Sequence, residues 1–101
     1  MARLVWTEKA ISDLDGIVSY IASENPDAAR RLAKRIEAHV GQLAIHPLSG
    51  PVPPEDRSGL YRQISESPCR ILYRYDGADV IILRVLRAEK LLRPSFFKGL
   101  G

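Results

Sequence analysis

Apolar positions change their period partway along the chain, which divides it into a helical first half and an extended second half. Leu4, Val5 and Trp6 form a short β-prone run. Thr7 closes it as a suitable N-cap, with Glu8 well placed against the helix dipole. Ala10, Leu14, Ile17 and Ile21 then recur at helical spacing, widened by Ile11 and Val18, and predict a helix over Glu8–Ala22. Asp13, Asp15 and Ser19 fall off that stripe. Asn25-Pro26-Asp27 combines an N-cap, a proline where a missing N–H costs nothing, and an acid that complements the dipole. The second predicted helix aligns Ala29, Leu32, Ala33, Ile36, Val40 and Leu43 and stops before Pro47. The short connection makes the two an antiparallel hairpin.

From His46 to Ser58 four prolines and Gly50 interrupt any period, which reads as a rigid surface loop. Three strands follow, over Tyr61–Ser65, Cys69–Tyr75 and Val80–Leu86. Asp76-Gly77 between the last two is a type I′ hairpin signal. As a two-residue loop it sets Tyr75 against Ala78 and Arg74 against Asp79, a cross-strand ion pair. That register puts Ile71, Tyr73, Val80, Ile82 and Leu86 on one face, with Arg84 as its only charge. Arg70, Leu72, Arg74, Ile81, Leu83, Val85 and Arg87 fall on the other. The first face is expected on the helical hairpin, and the second partly open, apolar in the middle and basic at its margins. The tail from Leu91 onward, with Phe96-Phe97, forms a short helical turn or lies extended over the sheet.

A strand, a helical hairpin and a three-stranded antiparallel meander make an α+β two-layer plan. The chain of 101 residues suits one domain with one modest core. It lacks an apolar run near the ~18 residues a membrane span needs, and its N-terminus turns polar before a signal-peptide core could form. A cytosolic protein is expected. A lone cysteine, Cys69, excludes an internal disulfide and fits a small buried hydrophobe, and His39 and His46 lack metal-ligand spacing. No metal or cofactor is therefore expected.

Charge is uneven. Residues 1–56 hold six Lys/Arg against eight Asp/Glu, and residues 57–101 hold nine against four, so a net −2 faces a net +5. A basic half fits nucleic acid, an acidic protein partner, or a solvated sheet face. Arg30/Lys34 and Arg31/Arg35 are like-charge pairs at i, i+4, a mild cost that hints at an acidic partner. For RNA cleavage without a metal, the cations Arg62, Arg70, Arg84, Arg87, Lys90 and Arg93 are plentiful. A convincing general base is not: Glu66 and Glu89 look solvated, and Tyr61 and Tyr73 look like core aromatics.

The chain resembles the RelE/ParE superfamily of toxins from type II toxin–antitoxin systems, sometimes described as plasmid stabilisation proteins. Carrying residues are Trp6-Thr7-Glu8-Lys9-Ala10, Asn25-Pro26-Asp27-Ala28-Ala29 and His46-Pro47-Leu48-Ser49-Gly50. The most specific part is Ser67-Pro68-Cys69-Arg70-Ile71-Leu72-Tyr73-Arg74, then Asp76-Gly77 and Ile82-Leu83-Arg84-Val85-Leu86-Arg87. Within the superfamily it is more similar to ParE than to RelE. ParE-type members often carry Tyr at the position of Cys69 and His at that of Arg87, while RelE-type ribonucleases carry arginines that align with Ser65 and Ala88. The resemblance implies a toxin that arrests growth by binding DNA gyrase, without catalysis of its own. It also implies a cognate ParD-like antitoxin that forms a hetero-oligomer with it. A ribosome-dependent mRNA endonuclease and an inactive antitoxin-binding module are the alternatives. Expected antitoxin contacts are Arg30, Arg31, Lys34, Arg35, Arg70, Leu83 and Arg87. Expected target contacts are Arg84, Arg87, Lys90, Arg93, Phe96 and Phe97. No catalytic residue is assigned.

Overall fold

A computed structural model describes residues 1–100. Strand β1 (Arg3–Trp6) leads into helices α1 (Glu8–Ala22) and α2 (Pro26–Gln42), and β2 (Arg62–Glu66), β3 (Cys69–Tyr75) and β4 (Asp79–Arg87) follow. A 3-10 turn over Pro94–Gly99 ends the described chain. Both helix starts form as their caps predict, with Thr7 accepting from the Ala10 N–H and Asn25 from the Ala28 N–H. The sheet is mixed and four-stranded, in the order β1-β4-β3-β2. β1 runs parallel to β4, with Arg3–Trp6 opposite Asp79–Ile82, and extends the antiparallel meander at that edge.

Two features of β4 depart from the expected register: the first keeps Val80 and Ile82 on the helix face with Ile71 and Tyr73, and the second exchanges the faces beyond it. Tyr75 pairs with Val80, a shift of two from the expected register, and the loop before β4 holds three residues, Asp76 to Ala78, rather than two. Asp76 Oδ1 accepts from the N–H groups of Ala78 (2.9 Å) and Asp79 (2.7 Å), and Gly77 takes the positive φ of 94° that the turn needs. Arg74 therefore faces Ile81, and Asp79 pairs with Arg3 at 2.8 Å. Further along, Leu72 opposes Arg84 while Tyr73 opposes Ile82, which leaves Leu83 as the extra residue of a β-bulge. The bulge reverses the alternation beyond it. Val85 turns towards the helices beside Ile71, and Leu86 and Arg84 join Leu72 on the far face, the reverse of the expected placement.

Burial follows this corrected phase. Ala10, Leu32, Ile36, Val40 and Leu43 of the helices pack on Ile64, Cys69, Ile71, Tyr73, Val80, Ile82 and Val85. Leu14, Ile17 and Ile21 flank that core half-buried, while Ile11 is mostly exposed. The expected open face is closed: Leu92 and Phe97 of the tail cover Tyr61, Leu72, Leu83 and Leu86. Cys69 is fully buried, and burial pushes its thiol pKa up, as suits a small hydrophobe. The proline loop is pinned by Tyr73, whose phenol donates to the Pro47 carbonyl (2.8 Å) and accepts from the Gly50 N–H (3.0 Å). Among the described residues no helix is long and apolar enough to cross a membrane.

Candidate binding surfaces

The basic edge of α2 divides into bound and free charges. Arg30 pairs with Asp27 one turn earlier. Arg35 reaches across to the β2–β3 turn, donating to the Ser67 carbonyl (3.0 Å) with its Nε 3.4 Å from Glu66. His39 Nδ1 lies 2.7 Å from the other oxygen of Glu66, so these two side chains tie α2 to the sheet. Arg31 and Lys34 are exposed and have no ion-pair partner among the described residues. Beside them, Trp6, Ile11, Leu14, Val18 and Ala33 line a mainly apolar groove of about 390 Å³ between the two helices, with Asp15 and Glu37 at its rim.

Three meander arginines, Arg70, Arg84 and Arg87, are paired with carboxylates of the same chain. Arg70 is only 8% exposed, so it does not lie on an open face as the sequence suggested. Its guanidinium grips Glu55 through both terminal nitrogens, at 3.1 and 2.8 Å, and also donates to Gln63 (3.1 Å) and the Lys90 carbonyl (3.4 Å). The hydrogen bond from Arg70 holds the Glu55 carboxyl below the usual carboxylate range, against the opposing effect of burial. Arg84 donates to Asp13 through Nε (2.6 Å) and Nη2 (3.3 Å), and its guanidinium carbon stands 5.5 Å from the Phe96 ring centre. Arg87 bonds Glu89 at 2.7 Å beside a groove of about 670 Å³ lined by Ser12, Gly16, Ile17 and Tyr20 of α1.

Of the remaining expected contacts, Lys90 and Arg93 are exposed, Phe96 is half-buried, and Leu83 and Phe97 are buried in the second cluster. The structure thus brings Arg84, Phe96, Phe97 and Leu83 together at the tail. It separates them from the free cations of α2. Sequence reasoning missed Glu55 and Asp13, the partners that occupy Arg70 and Arg84. Asp13 offered a signal, because it lies one turn beyond Ala10 and borders the buried stripe; Glu55 sits in an aperiodic loop and offered none.

Asp56 is also committed. It is 7% exposed and accepts from the Ser58 N–H (2.9 Å), the Ser58 hydroxyl (2.6 Å) and the Tyr61 N–H (3.0 Å). Burial alone would raise its pKa, but hydrogen bonds from Ser58, Tyr61 and Gly59 outweigh it and hold the carboxyl below its ordinary value. A depressed folded value gives stability that is complete above the unfolded pKa of about 4 and is lost as pH falls through the folded value. We expect Asp56→Asn to be less stable at pH 7 and to lose less on acidification than wild type below about pH 4. Thermal melts across pH 2–7 check this; parallel curves would refute it.

Residues 4–92 match the family model described as the ParE toxin of the type II toxin–antitoxin system parDE. The chain belongs to the ParE toxin family. The Y4kP protein of Sinorhizobium fredii is 39% identical over 88 residues, which cover 87% of this chain and 90% of that one. Two Caulobacter vibrioides toxins are each 34% identical: ParE3 over 97% of this chain and 98% of its own, and RelE2 over 90% and 100%. Among solved structures, a chain of the chromosomal ParDE toxin–antitoxin system of P. aeruginosa superposes with a TM-score of 0.74 at 28% identity, covering 88% of this chain and 98% of that one. That likeness bears out the α+β plan of an N-terminal strand, a helical hairpin and antiparallel strands for this chain.

Proposed function

We propose that this ParE-family toxin arrests growth by binding DNA gyrase, without catalysis of its own, and that a cognate ParD-like antitoxin neutralises it. The observation that carries the reading is the state of three of the strand arginines. Arg70, Arg84 and Arg87 each bond a carboxylate of the same chain, at 2.8, 2.6 and 2.7 Å. A phosphoryl-transfer site needs cations aimed at the developing charge, and a cation already neutralised by a neighbour is poorly placed for that. Ser65 and Ala88, at the positions where RelE-type ribonucleases carry arginines, supply none. Binding to a protein target asks only for a shaped, partly apolar surface with a few charged anchors.

Growth should stop when the chain is expressed alone, and the purified protein should abolish gyrase supercoiling while mRNA on translating ribosomes stays intact. The likeness to RelE2 makes the ribosome arm necessary. Codon-positioned cuts with unaffected gyrase would replace this reading with the endonuclease one, and normal growth at good expression would leave an inert antitoxin-binding module.

For the antitoxin, similarity to a ParDE system supports a partner, and the groove between the helices supports its placement. An amphipathic segment would lay its apolar side on Ile11, Leu14 and Val18 and its acids against Arg31 and Lys34. We expect the R31E/K34E double variant to bind antitoxin about tenfold more weakly, since each exposed pair is worth up to ~1 kcal/mol. Its affinity should also depend less steeply on salt. Titration at two ionic strengths measures both, and unchanged affinity removes this helix edge from the interface.

A further inference from the structure

Arg84 stands where three elements meet. On one side it holds Asp13 of α1 through two nitrogens, at 2.6 and 3.3 Å. On the other its guanidinium carbon stands over the Phe96 ring, 5.5 Å from the ring centre, and its side chain is 17% exposed. Phe96 meets Phe97 edge-on with ring centres 5.5 Å apart, and Phe97, the buried residue of the tail turn, packs against Tyr61 at 5.6 Å. Asp13 is itself fixed from the sheet, accepting from the Val85 N–H at 3.1 Å, and Lys9 lies 3.5 Å away. A continuous line of contacts therefore runs from α1 through Asp13 and Arg84 to the aromatic anchor of the tail.

We propose that Arg84 is a positioning residue that couples helix α1 to the C-terminal tail, so that a partner drawing Asp13 away from it loosens the tail. The chemistry is specific to arginine. A planar guanidinium can satisfy a carboxylate along its edge while a ring stacks on its face, and the carboxylate sets the plane that the ring meets. A lysine ammonium in the same place carries the charge but has no plane to orient. Without Asp13 the guanidinium is free to turn to solvent, and Phe96 loses its polar neighbour. Only the functional consequence, that a partner on the helices alters a target-binding tail, rests on the gyrase reading; the coupling itself does not.

Limited chymotrypsin digestion of the full chain reads the coupling directly. Cleavage after Phe96 and Phe97 reports the tail, and cleavage after the fully buried Tyr73 reports global opening. Arg84→Ala should raise tail cleavage by about three- to tenfold, the range of one cation–π contact, with core cleavage unchanged. Arg84→Lys should stay close to Arg84→Ala. Asp13→Asn should loosen the tail similarly, and R84A/D13N should be no faster than R84A. Wild-type tail cleavage in Asp13→Asn, full protection in Arg84→Lys, additive effects in the double variant, or tail and core cleavage rising together would each overturn the proposal. None of these outcomes depends on gyrase, so they stay interpretable if the target proves different.

Discussion

Gly50→Ala should destabilise the fold by about 3–5 kcal/mol, among the larger effects a single methyl group can have. A Cβ at Gly50 would lie 2.4 Å from the Gln63 carbonyl oxygen and 2.8–2.9 Å from the Tyr73 ring and hydroxyl. None of these can yield cheaply. Gln63 is a β2 residue paired with Leu72, and its N–H bonds the Pro51 carbonyl at 2.9 Å. Tyr73 is fully buried, and its hydroxyl already spans Pro47 and Gly50. Arg62 adds a bond to the Gly50 carbonyl at 2.9 Å. To admit the methyl group, the loop must lift off the sheet and release these bonds together. Thermal melting should drop by more than ~12 °C for a domain of this size. A shift below ~4 °C would mean that the loop moves freely and that Tyr73 does not pin it.

Glu55→Ala should cost about 3 kcal/mol, because it strands a charge rather than because it removes a favourable contact. Arg70 is 8% exposed, and its Nε already has no partner among the described residues. Without Glu55 it keeps only Gln63 and the Lys90 carbonyl, two neutral acceptors, against a full positive charge in a closed site. The companion variant decides between the two explanations. E55L/R70M removes both charges, fills similar volume and should recover most of the loss, as buried ion pairs replaced by apolar groups often do. Equal instability of the single and double variants, read from denaturant midpoints, would mean that the pair itself contributes the stability.

What was legible in the chain was what local chemistry fixes. Thr7, Asn25 and Pro26 announce helix starts without reference to anything distant, and α1 begins and ends where its pattern placed it. The apolar run from Cys69 to Tyr75 gave β3 its full extent for the same reason. Decisions made by remote partners were not legible. Asp76-Gly77 signals a turn, but β4 begins at Asp79, which lines up with Arg3 in the parallel strand β1. Leu83 looks like any strand residue, yet as the surplus residue of a bulge it exchanges the faces of Arg84, Val85 and Leu86. The candidate site suffered most from this. Arg70 and Arg84 stand out among apolar strand residues, but their partners lie in a proline loop and on a helix, 15 and 71 residues away in sequence. A free arginine and a paired one have the same sequence pattern.

The placement of β1 bears on the order in which the sheet can close during synthesis. Arg3–Trp6 are made well before their sheet partners Asp79–Ile82, which lie 76 residues further along the chain. At 5–20 residues per second, the ribosome needs about 4–15 s to cover the intervening stretch, and further residues must be added before β4 clears the exit tunnel. Throughout that interval the first strand has nothing to pair with, and Phe97, which seals the opposite face, has not been translated. An unfinished chain therefore holds neither a closed sheet nor a covered face. The sheet and its cover come together only once Phe97 has been made.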